Sequence, residues 1–336
     1  MQTHKAFSAQ KRSLFAPPHV LCLAVLCALA PISAHTEEAQ RTTRDLHADF
    51  FVNSALRSGV YNELVFSNVN GESKKLSQLD WEARPLLYCG GGASIYWKLL
   101  ETHIYGAGFF PFEKSIGIMQ DSDWEDYTVK NKYSESDNFF GRGFLFSARA
   151  GARIPFRSFS IFPYCAAEWE FMSFYAQGIT KQYSEAGTSY TEAPKVTVAK
   201  YDGKDVISYR RETFFTWLGM EAAYTHKERA RISAGFSAAP WCRIDSIDNH
   251  LLRSVHFYDS MEEIFCAWRV NAHIKHRITK CLWLDGGAAF TWLNELRGNT
   301  ASNSSGEDDA YSRSRSESGA SAHYADFSLS VLFRPF

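Results

Sequence analysis

Long segments in which apolar and polar residues alternate dominate the chain from about residue 46 to its end. Near the C-terminus, Phe327 and Leu329 alternate with Asp326 and Ser328. Successive side chains of a β-strand point to opposite faces, so a period of two predicts strands rather than helices. If such a sheet closes in lipid, the apolar face lies outside and the polar face inside. The pattern therefore predicts an all-β chain.

Ten extended segments are predicted, and the connections between them alternate in length. The segments lie near residues 47–67, 74–97, 102–118, 138–153, 157–178, 206–226, 229–248, 256–275, 279–297 and 318–336. The short connections lie near 98–101, 154–157, 226–228 and 276–278, and the long polar ones at 119–137, 179–205, 249–255 and 298–317. Tight turns at one end and long loops at the other are typical of an up-and-down barrel. The sequence thus predicts a ten-stranded antiparallel up-and-down transmembrane β-barrel with long extracellular loops.

Composition agrees with a barrel in a membrane and excludes one class of partner. Aromatic residues make up 15% of the chain, which suits the aromatic girdles of outer-membrane barrels. Predicted strands of about 20 residues exceed the roughly 9–11 needed to cross a bilayer, so their loop ends should stand above the lipid. A formal net charge of −1 provides no electrostatic basis for binding nucleic acid.

The first part of the chain has the pattern of an export signal. Residues 1–34 combine a basic start, a short apolar core and a small residue, Ala34, at the predicted cleavage site. Residues 35–336 are then predicted to form a single barrel domain. Lipidation at Cys27 is an alternative, although Leu26 is bulky where lipidation favours a small residue. These features predict an exported protein of the outer membrane.

Two short motifs carry the candidate chemistry. Asp121 and Asp123 form one pair, and Asp248 and His250 form the other. Residues two apart in a strand share a face, so each motif presents two ionisable groups side by side. A carboxylate that orients a histidine, facing a second carboxylate pair, can hold and deprotonate a water molecule. Both motifs lie where a predicted strand meets a long connection, although such pairs alone also occur in solvated turns.

Other catalytic templates find no support in the sequence. Beyond the predicted signal, the cysteines form neither a CxxC motif nor a Cys/His cluster, so no metal site and no cofactor are expected. A phosphate-binding glycine loop, a GxSxG elbow and an HExxH helix are also missing from the sequence. Serine, cysteine and zinc hydrolase mechanisms are therefore not indicated.

Five short stretches occur in a characteristic order. They are Ser58-Gly59-Val60-Tyr61-Asn62-Glu63-Leu64-Val65, Ser77-Gln78-Leu79-Asp80-Trp81, Asp121-Ser122-Asp123-Trp124, Ser173-Phe174-Tyr175-Ala176-Gln177-Gly178, and Trp241 followed by Asp248 and His250. Together they resemble the omptins, a family of ten-stranded outer-membrane endopeptidases, over roughly residues 48–336. The resemblance implies an aspartyl endopeptidase that cuts basic peptides or host proteins at the cell surface.

The resemblance also implies a role for each motif residue. Asp248 would orient His250, and His250 would act as general base on a water molecule. Asp121 and Asp123 would hold that water from the opposite wall. Attack by water requires no covalent intermediate, in keeping with the missing nucleophile motifs. Glu63 aligns with an acid in the pocket for the basic residue before the cut.

The sequence departs from the family pattern at several positions. The family has a second acidic residue in that pocket, and its position is occupied here by Ser246. The adjacent Asp245 is the candidate substitute. Glu135 is the candidate acid for the residue after the cut. Many omptins bind lipopolysaccharide through two outward-facing residues, whose positions hold Trp169 and Phe171 in this sequence. Dependence on lipopolysaccharide is therefore not expected. The protein is expected to be a monomer in outer-membrane lipid.

Two other functions remain open at this point. One is a catalytically silent barrel whose loops act as an adhesin or bind a host protein. The other is a diffusion porin, which the narrow lumen of a ten-stranded barrel disfavours. Phe265, Arg269 and His273 are expected to point into that lumen and narrow it further.

Overall fold

The computed structural model describes residues 46–111, 113–227, 229–304 and 312–335. The predicted signal, its cleavage site and Cys27 lie outside these residues.

Within the described ranges the chain is almost entirely β-strand. The strands are β1 His47–Val69, β2 Glu72–Trp97, β3 Leu100–Pro111, β4 Gly117–Asp123, β5 Lys132–Ala152, β6 Ile154–Phe156, β7 Phe159–Tyr183, β8 Val196–Thr197, β9 Asp205–His226, β10 Ala230–His250, β11 Val255–Glu263, β12 Ala267–Arg277, β13 Leu282–Ser304 and β14 Ser312–Phe333. Two short 3-10 helices, Tyr190–Glu192 and Ala199–Tyr201, lie between β7 and β9. No helix in this part of the chain is long and apolar enough to cross a membrane.

The strands pair antiparallel with their neighbours along the chain and close into a ring. β3 and β4 share one position, because both pair with β2 and with β5. β11 and β12 likewise share the position between β10 and β13. β1 pairs with β14 and closes the sheet. With each interrupted strand counted once, the ring has about ten positions, and the prediction of an antiparallel up-and-down barrel is confirmed.

The strands extend further into the predicted loops than expected. The predicted loop 298–317 is partly strand, because β13 continues to Ser304 and β14 begins at Ser312. Thr300, for example, pairs with Asp259 of β11. The sequence there lacks apolar alternation because strands above the lipid need no apolar outer face. The loop prediction was wrong for these residues for that reason.

A belt of exposed apolar side chains surrounds the short-turn half of the barrel. Its members include Phe50, Val52, Ile104, Phe146, Leu218, Met220, Ile232, Phe236, Val270, Ile274, Phe327, Leu329 and Phe333. Above it the outer face becomes polar, and Gln78 donates a hydrogen bond to Asp80, which also binds Asn62. The apolar belt is the membrane-spanning part, and the loop half stands above the lipid.

The strand between β10 and β13 is interrupted, and one predicted side-chain direction is wrong at the interruption. Phe265, expected inside, is 69% exposed, whereas the next residue, Cys266, is 3% exposed. Phe265 has a φ of 51° and lies in the break between β11 and β12, where the backbone leaves the strand conformation and the alternation does not hold. Arg269 and His273, on β12 beyond the break, line the interior as expected.

Aromatic rings fill the interior at the height where the apolar belt ends. Trp81 stacks on Tyr209 at 5.5 Å between ring centroids and on Phe174 at 6.0 Å. Tyr61 lies 5.6 Å from Phe174 and 5.8 Å from Tyr324. Because these residues come from β1, β2, β7, β9 and β14, the aromatic layer joins opposite walls of the barrel and obstructs its lumen.

Beneath the aromatic layer the interior holds paired charges around a cavity of about 360 Å³. Arg57 forms ion pairs with Glu170 and with Asp326, the latter at 2.8 Å. Arg269 contacts Glu168 at 2.7 Å. Pairing offsets the cost of burying these charges, so charged side chains can fill this half of the lumen.

Candidate active site

The first acidic pair points into the barrel from the wall formed by β2, β4 and β5. Asp121 lies directly opposite Leu79 of β2, and Asp123 lies opposite Ser77. Directly opposite residues of an antiparallel pair share a face. Leu79 is buried in the interior with Trp81, two residues further along β2. Both carboxylates therefore face the lumen, above the aromatic layer.

The second pair points inward from the opposite wall. Asp248 on β10 lies opposite Tyr209 of β9, and the Tyr209 ring stacks on Trp81 of the first wall. His250, two residues along, shares the face of Asp248. Asp248 is 1% exposed, and its Oδ2 lies 2.6 Å from Nε2 of His250. The Trp81–Tyr209 stack thus forms a floor on which both pairs stand.

The two pairs are close enough to affect each other electrostatically. Burial, followed by the negative charge of Asp123, raises the pKa of Asp121 to about 7. Asp248 raises the same pKa, while His250 and Arg253 lower it. Burial also raises the pKa of Asp123. The structure thus brings the four motif residues together at the water-facing end of the barrel, outside the membrane-spanning segments.

Both ring nitrogens of His250 have partners. Nε2 faces Asp248, and Nδ1 contacts Nη2 of Arg253, a residue of the turn after β10. A guanidinium only donates hydrogen bonds, so Nδ1 must accept and Nε2 must carry the proton. The Phe257 ring packs edge-on against the imidazole at 5.4 Å. The nitrogen that could accept a proton from water is therefore covered by Arg253.

A buried acidic cluster extends from the catalytic candidates toward β1 and β11. Glu63 lies opposite Leu79 on the inner face and is 3% exposed. Burial raises its pKa well above the ordinary value, and the charges of Asp248, Asp259 and Asp121 raise it further. The preceding residue, Asn62, points outward and donates a hydrogen bond to Asp80 on the polar part of the outer face. Glu63 therefore also lies above the lipid belt.

Asp259 is a member of this cluster that the sequence reasoning missed. It lies directly opposite Ser246 and accepts a hydrogen bond of 3.4 Å from the Ser246 hydroxyl. Burial raises its pKa to about 6, and the charge of Asp248 contributes. The available signal was hairpin register: His250 opposite Val255 places residue 246 opposite residue 259.

Asp245 and Glu135 lie away from the four motif residues. Asp245 is on the outer face of β10, where Arg243 binds it through two hydrogen bonds of 2.8 and 3.0 Å. The structure therefore contradicts the expected substitution for Ser246, because adjacent residues of a strand point to opposite faces. Glu135 is directed outward for the same reason, since Ser134 is its inward neighbour, and it binds Lys195 at 2.6 Å.

Two further predictions concern the outer face and metals. Trp169 and Phe171 point outward and pack against Phe144, each at 4.9 Å between ring centroids. Among the described residues, no group of three or more His, Cys, Asp or Glu side chains is arranged to hold a metal ion.

The model of the omptin family matches residues 52–334. The chain belongs to the omptin family. Among solved structures, the outer membrane protease OmpT from Escherichia coli superimposes with a TM-score of 0.75 at 14% sequence identity, covering 88% of this chain and 99% of that one. At this identity the similarity shows the fold alone. Comparison with curated proteins gives no match.

Other similar barrels are more distant from this omptin. The translocator domain of the autotransporter NalP from Neisseria meningitidis has a TM-score of 0.31 at 7% identity, covering 95% of this chain and 94% of that one. The toluene transporter TodX of P. putida has a TM-score of 0.30 at 6% identity, with 86% and 90% covered. Membership of the omptin family, with the closed sheet and its apolar belt, identifies an outer-membrane protein. Family and fold also support a surface protease, without identifying its catalytic residues or its specificity.

Proposed function

We propose that this omptin is a surface endopeptidase in which His250 activates a water molecule for attack on a peptide bond. The observation that carries the proposal is the convergence of two pairs from opposite walls. Asp121 and Asp123 face Asp248 and His250 above the aromatic layer, on the side open to the loops. The arrangement supplies a base, a group that orients the base, and acceptors for the hydrogens of a water molecule.

The chemistry follows from the roles of these four side chains. Asp248 holds the proton of Nε2 and so leaves a lone pair on Nδ1 of His250, which becomes available when Arg253 moves aside. Nδ1 takes a proton from the water while the water oxygen attacks the carbonyl carbon. Asp121 and Asp123 accept hydrogen bonds from that water and offset the charge of the imidazolium. His250 then returns the proton to the departing amine, which completes hydrolysis.

The same proposal includes a preference for a basic residue before the scissile bond. The Oε2 atom of Glu63 is buried and has no hydrogen-bond partner among the described residues. A buried carboxylate is costly unless it is protonated or paired with a cation. An arginine or lysine of the substrate would supply the missing partner, and no cofactor is needed.

Hydrolysis of a dibasic fluorogenic peptide by the refolded barrel tests the proposal. Asp121→Ala and His250→Ala are expected to reduce kcat/KM by about a hundredfold or more, because general base catalysis typically contributes that much. Asp245→Asn, on the outer face, is the matched control and should retain activity. The assay is run with and without lipopolysaccharide, and equal rates are expected.

A catalytically silent barrel that binds a host protein is the second candidate. The observation that favours it is the contact of Arg253 with the nitrogen of His250 that a catalytic base would need. Absence of turnover by the folded protein under both lipid conditions would favour this candidate over the peptidase.

A further inference from the structure

Three buried carboxyl groups share the interior between β1, β10 and β11. Glu63 is 3% exposed, Asp259 is 4% exposed and Asp248 is 1% exposed. Their charges act on one another, because both Asp248 and Asp259 raise the pKa of Glu63. Oε2 of Glu63 and Oδ1 of Asp248 are buried and lack hydrogen-bond partners in the described part of the chain. The cluster therefore contains acceptor atoms that are directed inward and unused.

Within the ranges that the structure describes, no cation of the protein pairs with Glu63 or Asp259. Neither Glu63 nor Asp259 belongs to an ion pair among the described residues. The nearest buried cation by strand register is Arg211, which lies opposite Ser246. Its guanidinium donates to the Thr213 hydroxyl and to the Ser321 carbonyl, each at 3.0 Å. Arg211 is thus already held elsewhere.

We propose that Asp259 supplies the second carboxylate of the pocket that binds the basic residue before the scissile bond. This inference rests on the proposed function and adds a residue to it. Glu63 approaches the pocket from β1 and Asp259 from β11. Two carboxylates on different walls can bind a guanidinium through paired, charge-assisted hydrogen bonds, or surround an ammonium group.

Strand register explains how Asp259 can replace an acid at position 246. Directly opposite residues have Cβ atoms about 5 Å apart and share a face, so a carboxylate at position 259 reaches the same region of the lumen. The Ser246 hydroxyl donates to Asp259, and the Thr300 hydroxyl on the other neighbouring strand also hydrogen-bonds it. These two contacts hold the carboxylate from both sides. A serine at position 246 therefore positions the acid that lies opposite it.

Matched peptides test the charge of the pocket. Two peptides are compared that differ only in arginine or citrulline before the cut, because citrulline keeps the shape and removes the charge. Asp259→Asn is expected to lower the arginine-to-citrulline ratio of kcat/KM by about tenfold or more, as expected for loss of a charged hydrogen-bond partner. An unchanged ratio in a folded, active variant would overturn the proposal.

Exchange of the two opposite residues tests the proposed geometry. The double variant Ser246→Asp, Asp259→Ser moves the carboxylate from β11 to the directly opposite residue of β10. It is expected to restore the preference for arginine. Asp245→Asn removes a carboxylate adjacent to Ser246 in sequence but on the outer face, and it should leave the ratio unchanged. A double variant that folds and cleaves both peptides without preference would contradict the assignment.

Binding of agmatine, a small alkyl guanidinium, separates this inference from the proposed catalysis. Its dissociation constant is measured on the full barrel carrying His250→Ala, with and without Asp259→Asn, and should be about tenfold higher when Asp259→Asn is present. Agmatine binding that depends on Asp259, together with no peptidase activity of the unsubstituted barrel, would refute the proposed function but retain the pocket. Binding that is absent, or insensitive to Asp259→Asn, would overturn the inference even if peptides are cleaved.

Discussion

Burial shifts three acidic side chains of the site, Asp121, Asp259 and Glu63, toward their protonated forms. Burial raises the pKa of Asp121 to about 7 and that of Asp259 to about 6, and it raises the pKa of Glu63 as well. Water is largely excluded from these groups, so protons must replace the missing solvation unless cations do so. A basic substrate entering the site would displace protons. Binding and proton release are thus expected to be linked.

Asp121 should make the stability of the folded barrel depend on pH. Its pKa in the folded state is about 7, against an ordinary value of 3.8, so between these values the folded protein binds more protons than the unfolded chain. The free energy of unfolding therefore falls as the pH rises from about 4 to about 7. Asp121→Asn removes this contribution and should flatten the dependence. Urea unfolding in lipid vesicles measures this dependence, with Asp202→Asn, at an exposed position of the loop between β7 and β9, as the control.

Arg253→Ala is expected to increase peptidase activity. The substitution frees Nδ1 of His250 from a donor that must otherwise leave before the nitrogen can accept a proton. A hydrogen bond contributes about 1 kcal/mol, so kcat/KM for the dibasic peptide should rise about fivefold. Arg210→Ala, on the exposed outer face of β9, controls for loss of a positive charge. A fall in kcat/KM confined to Arg253→Ala would show that the guanidinium assists the reaction.

Individual strands link the lipid belt, the aromatic layer and the active site. On β2, Trp97 lies near the short turn and is 50% exposed, whereas Trp81 is fully buried in the aromatic layer. Leu79, two residues above Trp81, lies opposite both Asp121 and Glu63. The packing of the Trp81 ring therefore sets the height of Leu79 in the barrel, and with it the height of Asp121 and Glu63. Strands β9 and β10 do the same on the other wall, where Tyr209 of β9 lies opposite Asp248 of β10.

Trp81→Ala should affect both stability and activity. Loss of the ring leaves a cavity in the aromatic layer and is expected to cost about 3–5 kcal/mol of unfolding free energy. Activity should fall as well, because Tyr209 loses the stack that holds the Asp248 wall against the Asp121 wall. Trp97→Ala, at an exposed tryptophan of the same strand, should have a much smaller effect on both. Full activity of a folded Trp81→Ala protein would show that the floor is dispensable.

The barrel is taller than the bilayer it crosses. β9, for example, has 22 residues, about twice the number that a tilted strand needs to span the lipid. The apolar belt occupies the short-turn half, and the candidate active site lies in the other half. This division places the four motif residues on the side of the barrel open to the loops, with the paired charges below them in the lipid-embedded half.

Charges introduced on the outer face should have effects that depend on height. Leu329→Arg, in the apolar belt at 54% exposure, is expected to destabilise the barrel by about 2–4 kcal/mol. Leu252→Arg changes an equally apolar side chain that is 44% exposed in the turn after β10, and it should be nearly neutral. Unfolding in lipid vesicles measures both. Equal losses would contradict the assignment of the belt as the lipid contact.

The sequence alone determined the class of fold and the composition of the two motif pairs. Alternation with a period of two is a local property of the backbone, so it predicted the strands, and the short connections predicted antiparallel neighbours. Each D-x-D or D-x-H pair also shares a face for a purely local reason. The same alternation places Asp245 on the face opposite to Ser246, which already argues against Asp245 as its substitute in the pocket.

Only the tertiary structure decided which walls meet and what lies between them. The approach of Asp121 to Asp248 depends on closure between β1 and β14 and on the register of every intervening pair, which no local pattern encodes. The break at Phe265 and the turn that places Arg253 against His250 contain irregular backbone conformations, which a period of two does not encode. Asp259 joined Glu63 for the same physical reason: a closed barrel brings strands separated by about two hundred residues around one narrow interior.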